Sequence, residues 1–212
     1  FQEFLLYRQQ QEYPEDEQII LHRLAKWNQS LERWERAYHL YHRLHDAKAV
    51  TRLVIEASPS LIKAGRAQLV EKWTGAALPL SDSTDEVETN DQYALIAIRG
   101  VAVTQLGDTK TGMSLLNQAI DNIDSDPPGL ALPLVLAWRS VVLRLTGNYE
   151  RSLSESIRNL QEMNADATFS QVQLEILALL QKNIGLCHCM RGRLDMAIQP
   201  LEEACQYYER AG

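Results

Sequence analysis

Apolar residues along this chain recur in steps of three and four, and no stretch sustains the every-second-residue alternation of a half-buried strand. Leu95, Ile96 and Val103, then Val135, Leu136 and Leu143, then Leu180 and Ile184, mark three successive helical runs. Each run is followed by a glycine, at Gly107, Gly147 and Gly192, and then by a second helical run. Measured from each glycine, small residues stand seven before, five after and twelve after: Gly100, Gly112 and Ala119; Ser140, Ser152 and Asn159; Gly185, Ala197 and Ala204. Only Asn159 breaks the rule. Antiparallel helices pack closely where side chains are nearly absent at the crossing, and a tight reversal favours glycine. The pattern therefore predicts helix pairs at about 91–122, 130–163 and 170–210.

The preceding residues read as shorter helices, also in pairs. FQEFLLYR, closing at Pro14, is a short apolar element. A helix is predicted from Asp16 or Glu17, with Ile20, Leu21, Leu24, Ala25 and Trp27 as its apolar face. Ser30 is expected to cap a second helix through Trp34, Ala37, Tyr38 and Tyr41. A third, from about Asp46 to Ala57, is expected to stop at Ser58-Pro59. A fourth spans Leu61 to Ala64, and a fifth carries Leu69, Val70 and Trp73 to Pro79. The acidic, hydroxyl-rich stretch SDSTDEVETNDQ then reads as a linker, so the expected organisation is 1–80, 81–92 and 93–212.

Composition narrows the function classes. Net charge is −7, and no dense Lys/Arg cluster offers itself to a phosphate backbone, so DNA binding by this chain alone is not expected. The longest apolar segments, such as 130–138, fall far short of the roughly 20 residues that span a bilayer, and no membrane partner is expected. The three cysteines, Cys187, Cys189 and Cys205, suit a reducing, cytoplasmic interior. Phe1 in place of an initiator methionine, and an end just after a helical run, read as a fragment of a longer protein.

The helix–glycine turn–helix unit resembles the tetratricopeptide repeat, whose period is about 34 residues. That likeness implies an all-α fold of antiparallel helix pairs stacked as a right-handed superhelix, an α-α solenoid. The turn glycines here stand 40 and 45 residues apart, and the family's tryptophan position is held by Ile96, Leu136 and Gln181. The segment from 21 to 79 resembles a second, more particular pattern. Its features are Leu21, His22, Arg23, Trp27, Ala37, His42, Asp46, Ala49, Gly65, Arg66, Trp73, Leu78 and Pro79. In that order they look like the region following the ATPase and winged-helix parts of LuxR-type bacterial transcription activators similar to the maltose regulator MalT. The likeness departs at Leu31 to Arg33, where many members carry a short glycine turn.

The resemblance implies a ligand-sensing and oligomerisation segment. Its partners would be a small-molecule inducer or a partner protein, with possible homo-oligomers. DNA would be reached only through a missing C-terminal domain. No cofactor is implied in this segment; ATP belongs to a missing N-terminal domain, since no GxxxxGK[ST] loop occurs here. The alternative is a generic tetratricopeptide adaptor recruiting a protein partner. No nucleophile–base or metal-ligand spacing supports an enzyme, so no catalytic residue and no metal ligand is assigned. His39, His42 and His45 lack a carboxylate companion, and Cys187, His188 and Cys189 point apart on a helix.

Arg99 and Arg139 both stand eight before their glycines, with Trp138 and Asn183 nine before theirs. Together with Gln105, Arg144 and Lys182 they form the candidate ligand groove, suited to a carbohydrate, a carboxylate or an acidic peptide. The plainer alternative pairs the arginines with acids of neighbouring helices and packs the tryptophan in the core. By analogy with the repeat, Ala97, Val101, Thr104, Ala137, Val141, Leu186 and Cys189 would line the same surface, a mostly apolar lining that suits a partner helix or a hydrophobic small molecule over an acidic C-terminal peptide.

Overall fold

A computed structural model describes residues 14–82, 87–123, 131–163 and 169–211. Its elements are ten α-helices, with no strand among the described residues. They are α1 (Pro14–Ser30), α2 (Trp34–Arg43), α3 (Ala47–Lys63), α4 (Ala67–Asp82), α5 (Thr89–Gln105), α6 (Thr109–Asn122), α7 (Ala131–Leu145), α8 (Tyr149–Met163), α9 (Gln171–Met190) and α10 (Leu194–Ala211). Two compact units divide them between Leu95 and Ile96, inside α5. The apolar element expected at 1–13, the core of the acidic stretch at 83–86 and the separators at 124–130 and 164–168 lie outside the described residues. The ends of the expected linker are helical, since α4 reaches Asp82 and α5 begins at Thr89.

One turn closes all five helix pairs. The N–H of Gly65 bonds the Ile62 carbonyl and the N–H of Arg66 bonds the Leu61 carbonyl, the reciprocal arrangement that satisfies two orphan carbonyls at a helix C-terminus. The same pair of bonds recurs at Gly107-Asp108, Gly147-Asn148 and Gly192-Arg193. It also recurs at Glu32-Arg33, closing α1 and α2, and at His45-Asp46, between α2 and α3. The first residue of each must enter the left-handed region, and Glu32 and His45 do so at φ of 52° and 55° without being glycine.

The departure of Leu31–Arg33 from the glycine pattern thus changes the residue and keeps the turn. Ala25 and Ala37, seven before and five after Glu32, are fully buried, so the small-residue rule holds at two of its three offsets in the first pair, with Leu44 at the third. Gly65 has Ser58, Val70 and Ala77 at the three offsets, all buried. Since Glu32 carries backbone strain that glycine would not, Glu32→Gly is expected to stabilise the protein by about 0.5–1 kcal/mol. A rise in the urea midpoint checks this, and an unchanged or lower midpoint would count against it.

Several helix boundaries differ from the sequence expectation. Ser30 ends α1, its hydroxyl donating to the Trp27 carbonyl, and Arg33 occupies the N-cap of α2 without a side-chain bond. Pro59 does not stop α3, and the fourth element expected at 61–64 is its last turn. Val50, Leu53, Val54, Ala57 and Leu61 form one uninterrupted buried face across the proline, and that burial outweighs the cost of one missing backbone donor. Asp46 starts the helix by accepting from the Ala49 N–H at 2.8 Å. Asp108 starts α6 in the same way, and hydrogen bonds from the Thr111 N–H and hydroxyl hold its carboxyl below the ordinary aspartate range.

In the first unit the core gathers the α3 face with Ala37, Tyr38, Val70 and Trp73. Tyr38 and Trp73 stack with ring centroids 4.4 Å apart and planes within 4°. In the second unit α9 is the central element, with Leu174, Ile176, Leu177, Ala178, Leu180 and Ile184 all buried. Ala137, Ile176 and Leu180 form a shared cluster flanked by Leu134, Leu160, Met163 and Leu179.

Candidate functional site

Within the second unit the predicted groove residues take very different positions. Trp138 and Asn183 are buried, at 6% and 1% exposure. Arg99 and Arg144 are half-buried, whereas Gln105 and Lys182 are exposed. Arg139 donates from Nε to Glu155 Oε2 at 2.9 Å, with only 13% and 11% of the two side chains exposed. Arg144 Nε donates to Asn183 Oδ1 at 2.7 Å, which is the pair of predicted residues that the fold brings together. Each of these bonds engages the Nε–H alone, so Glu155 and Asn183 fix the orientation of the two guanidinium groups. Ala97, Val101, Thr104 and Ala137, expected on the lining, are buried in helix seams.

The structure reveals instead a buried polar network at the junction of α7, α8 and α9. Asn183 Nδ2 donates to the Ser152 hydroxyl at 2.9 Å and to the Ser156 hydroxyl at 3.0 Å. Ser152 donates onward to the Ser140 carbonyl at 2.6 Å and also accepts the Cys187 thiol at 3.3 Å. One donor and two acceptor positions on a single hydroxyl are thereby filled. Asn159, the residue that breaks the small-residue rule, donates to the Pro133 carbonyl at 2.9 Å and is 3% exposed. Ser140, Ser152 and Asn159 stood out in the sequence as a run of small or polar residues at close-packing positions. Asn183, which joins Ser152 to Ser156, was marked in the sequence only by its offset from Gly192 and was expected in the groove.

Burial pushes the Cys187 thiol above its ordinary pKa, with the Ser152 hydrogen bond opposing. The thiolate is the nucleophile, so reactivity should follow exposure. Thiol labelling of the folded chain is expected in the order Cys205, exposed, then Cys189, half-buried, with Cys187 reacting only on unfolding. Mass spectrometry of partly labelled protein reads the order; early labelling of Cys187 would contradict the buried network.

In the first unit a cleft of about 330 Å³ is lined by His22, Lys26, Gln29, Tyr41, Asp46, Lys48, Ala49 and Arg52. Tyr41 donates to Gln29 at 2.9 Å at its base, His22 stands 3.5 Å from Asp46, and Arg52 pairs with Glu88 at 3.4 Å. Burial, with Asp46 and Glu56 nearby, raises the Tyr41 hydroxyl pKa. Burial and Glu88 raise the Asp91 carboxyl, against the opposing pull of Arg52 and Lys48. Its lining is polar, with His22 facing Asp46 and Arg52 facing Glu88. A second hollow, of about 420 Å³, lies where Glu32, Arg33, Trp34, Glu35, Arg36 and Arg66 meet, with Arg66 and Glu35 paired at 2.7 Å.

His39 and His42 lie exposed on α2, but His45 sits in the left-handed turn, so the three imidazoles do not share a helix. Among the described residues no group of three or more His, Cys, Asp or Glu is placed to hold a metal ion. Among the same residues no helix is long and apolar enough to cross a membrane.

No protein-family model matches the chain, and no curated protein matches it. Solved structures do. BtubC (BKLC) from P. vanneervenii superposes with a TM-score of 0.64 at 13% identity, over 96% of this chain and 85% of that one. The apo form of RapI gives 0.63 at 10% identity, over 94% of this chain and 65% of that one. A kinesin-light-chain-type protein of Podosopora anserina with nearly identical TPR-like repeats gives 0.54 at 13%, over 94% and 98%. At such identities the likeness is one of fold: the chain has the all-α, tetratricopeptide-like helical-repeat fold.

Proposed function

We propose that this chain is a non-catalytic protein-interaction and ligand-sensing segment of a LuxR-type, MalT-like bacterial transcription activator. The observation that carries the regulator reading is the order of features from Leu21 to Pro79, followed directly by the helix pairs. Supporting it, those features serve definite structural roles: Ala37 packs at the first crossing, Asp46 caps α3, Gly65 makes the turn within the second helix pair, and Trp73 stacks on Tyr38. A segment with these roles would present helix faces to partners and change their packing when an effector favours one arrangement. The parent reading frame tests the proposal. An upstream nucleotide-binding ATPase and a downstream helix-turn-helix are expected, and absence of both would end the regulator reading.

The second reading is an adaptor that recruits a protein partner and senses nothing. It is favoured by the bonds of Arg139 to Glu155 and of Arg144 to Asn183, which give both arginines a partner within the fold. A metabolite panel that gives no thermal shift, alongside one stoichiometric protein partner, would select it over sensing.

A further inference from the structure

The polar cleft of the first unit has more positive charge on its walls than its own residues neutralise. Its permanent charges are Lys26 from α1, Lys48 and Arg52 from α3, and the single carboxylate of Asp46, an excess of two cations in a chain whose net charge is −7. Asp46 is engaged at both oxygens: Oδ1 accepts the Ala49 N–H at 2.8 Å, and Oδ2 faces His22 Nε2 at 3.5 Å. Neither Lys26, exposed, nor Lys48, half-buried, has a hydrogen-bond or ion-pair partner among the described residues. Three further carboxylates stand outside the lining. Glu56 accepts from Gln29, Glu88 faces Arg52 at 3.4 Å, and Asp91 feels Lys48 and Arg52 without an ion pair to either. The Arg52–Glu88 contact is long and joins two side chains that are more than half exposed, so a stronger acceptor displaces it at little cost.

Size and charge together identify the ligand. At about 330 Å³ the cleft is at the small end of the range for small-molecule sites. Its base is aromatic: Tyr41, 2% exposed, donates to Gln29 at 2.9 Å and meets the His22 ring edge-on at 5.6 Å. A base of this kind beneath charged donors suits a carbon skeleton that ends in an anion. The excess of two cations matches a phosphate monoester, which carries about −1.5 to −2 at neutral pH. We infer that this cleft binds a small metabolite through its phosphate monoester, with Lys26 and Lys48 reaching the group from α1 and α3 and Arg52 turning from Glu88 to join them. Lysines bind phosphate as point charges, and the arginine adds a two-pronged donor. A ligand held by both α1 and α3 ties the first helix pair to the second, which biases how the pairs pack. An acidic segment of a partner protein is the less favoured occupant, because Glu56, Glu88 and Asp91 outside the lining repel an extended acidic chain.

The inference deepens the sensing half of the proposed function by naming the ligand class, and it stands apart from the regulator half. Its test is calorimetric titration of the full chain with inorganic phosphate, glycerol 3-phosphate and glucose 6-phosphate, beside glycerol, glucose and an Asp/Glu-rich peptide. At least one phosphate ester is expected to bind about tenfold or more tightly than its unphosphorylated parent, with affinity falling as salt is added. Lys26→Ala and Lys48→Ala should each weaken that binding about fivefold or more, and the double substitution should remove it with helix content unchanged. Lys182→Ala, in the second unit, should leave it as it was. Four results overturn the inference. They are no binding of any phosphate, equal binding of ester and parent, binding that survives the double substitution, and tighter binding of the acidic peptide. A metabolite that raises the unfolding temperature equally in the parent and the doubly substituted protein would keep the sensing reading and remove the cleft from it.

Discussion

Gly112→Ala is expected to destabilise the second unit by about 3 kcal/mol, although the same exchange in an ordinary helix interior would stabilise by about 1 kcal/mol. The reversal of sign follows from the crossing of α5 and α6. A Cβ built at Gly112 falls 2.0 Å from the Thr104 hydroxyl oxygen and 2.5 Å from the Gly100 carbonyl oxygen. Thr104 cannot swing away without cost, because its hydroxyl donates to that same carbonyl at 2.9 Å. The carbonyl is backbone inside α5 and moves only if the helices separate. Gly100→Ala should behave similarly, since its Cβ would meet the Gly112 carbonyl oxygen at 2.8 Å.

Gly185→Ala should be milder than either, because the obstacle there is the Leu201 side chain, with Cγ at 2.6 Å. Gly192→Ala meets nothing within 4 Å and has only its φ of 71° to contend with, for which about 1–2 kcal/mol is expected. Urea unfolding, with hydrogen exchange to localise the loss to α5 and α6, reads the series. A Gly112→Ala protein as stable as the parent would mean that the close crossing is wrong.

Asn183→Leu should cost a comparable amount, about 2–3 kcal/mol. Leucine matches the volume roughly but removes both donors that serve Ser152 and Ser156 and the acceptor that holds Arg144. Arg144 is half-buried and can turn to water, whereas Ser156, fully buried, cannot. The main penalty is therefore the orphaned serine hydroxyl and the loosened α8–α9 contact. Lys182→Ala is the control, because Lys182 is the adjacent exposed residue and should change stability by less than about 0.5 kcal/mol. The same Asn183→Leu protein should expose Cys187 to thiol reagents at lower urea than the parent does. Equal stability of the Asn183→Leu and parent proteins would show that the network is not holding the seam.

These two sites differ in how visible they were along the chain. Gly100 and Gly112 announce the close crossing, because two glycines at fixed distances from a turn glycine have few other uses inside helices. Asn183 announces only its offset from Gly192: a polar residue in an apolar helix reads equally well as a groove residue or a buried partner. Its assignment required knowing that Ser152 and Ser156 of α8 come within 3.0 Å of it. The candidate groove met the same difficulty. Equal offsets from turn glycines place Arg99 and Arg139 at equivalent positions, but only packing reveals that Glu155 reaches Arg139.

Local sequence determined the helices, most of their pairing and the small-residue crossings, because periodicity and turn chemistry act over a few residues. Tertiary structure decided what local chemistry leaves open. Glu32 and His45 adopt the left-handed turn because burial of Ala25, Ala37 and the α3 face outweighs the strain in two non-glycine residues. Pro59 stays inside α3 because an apolar face continues across it. The stripe of Ile20, Leu24, Trp27 and Leu31 has core periodicity, yet it lies exposed because no other described helix covers it. Periodicity states which residues share a face. Which face is covered depends on contacts between segments far apart in the chain, and on whether their burial exceeds the cost of bringing them together.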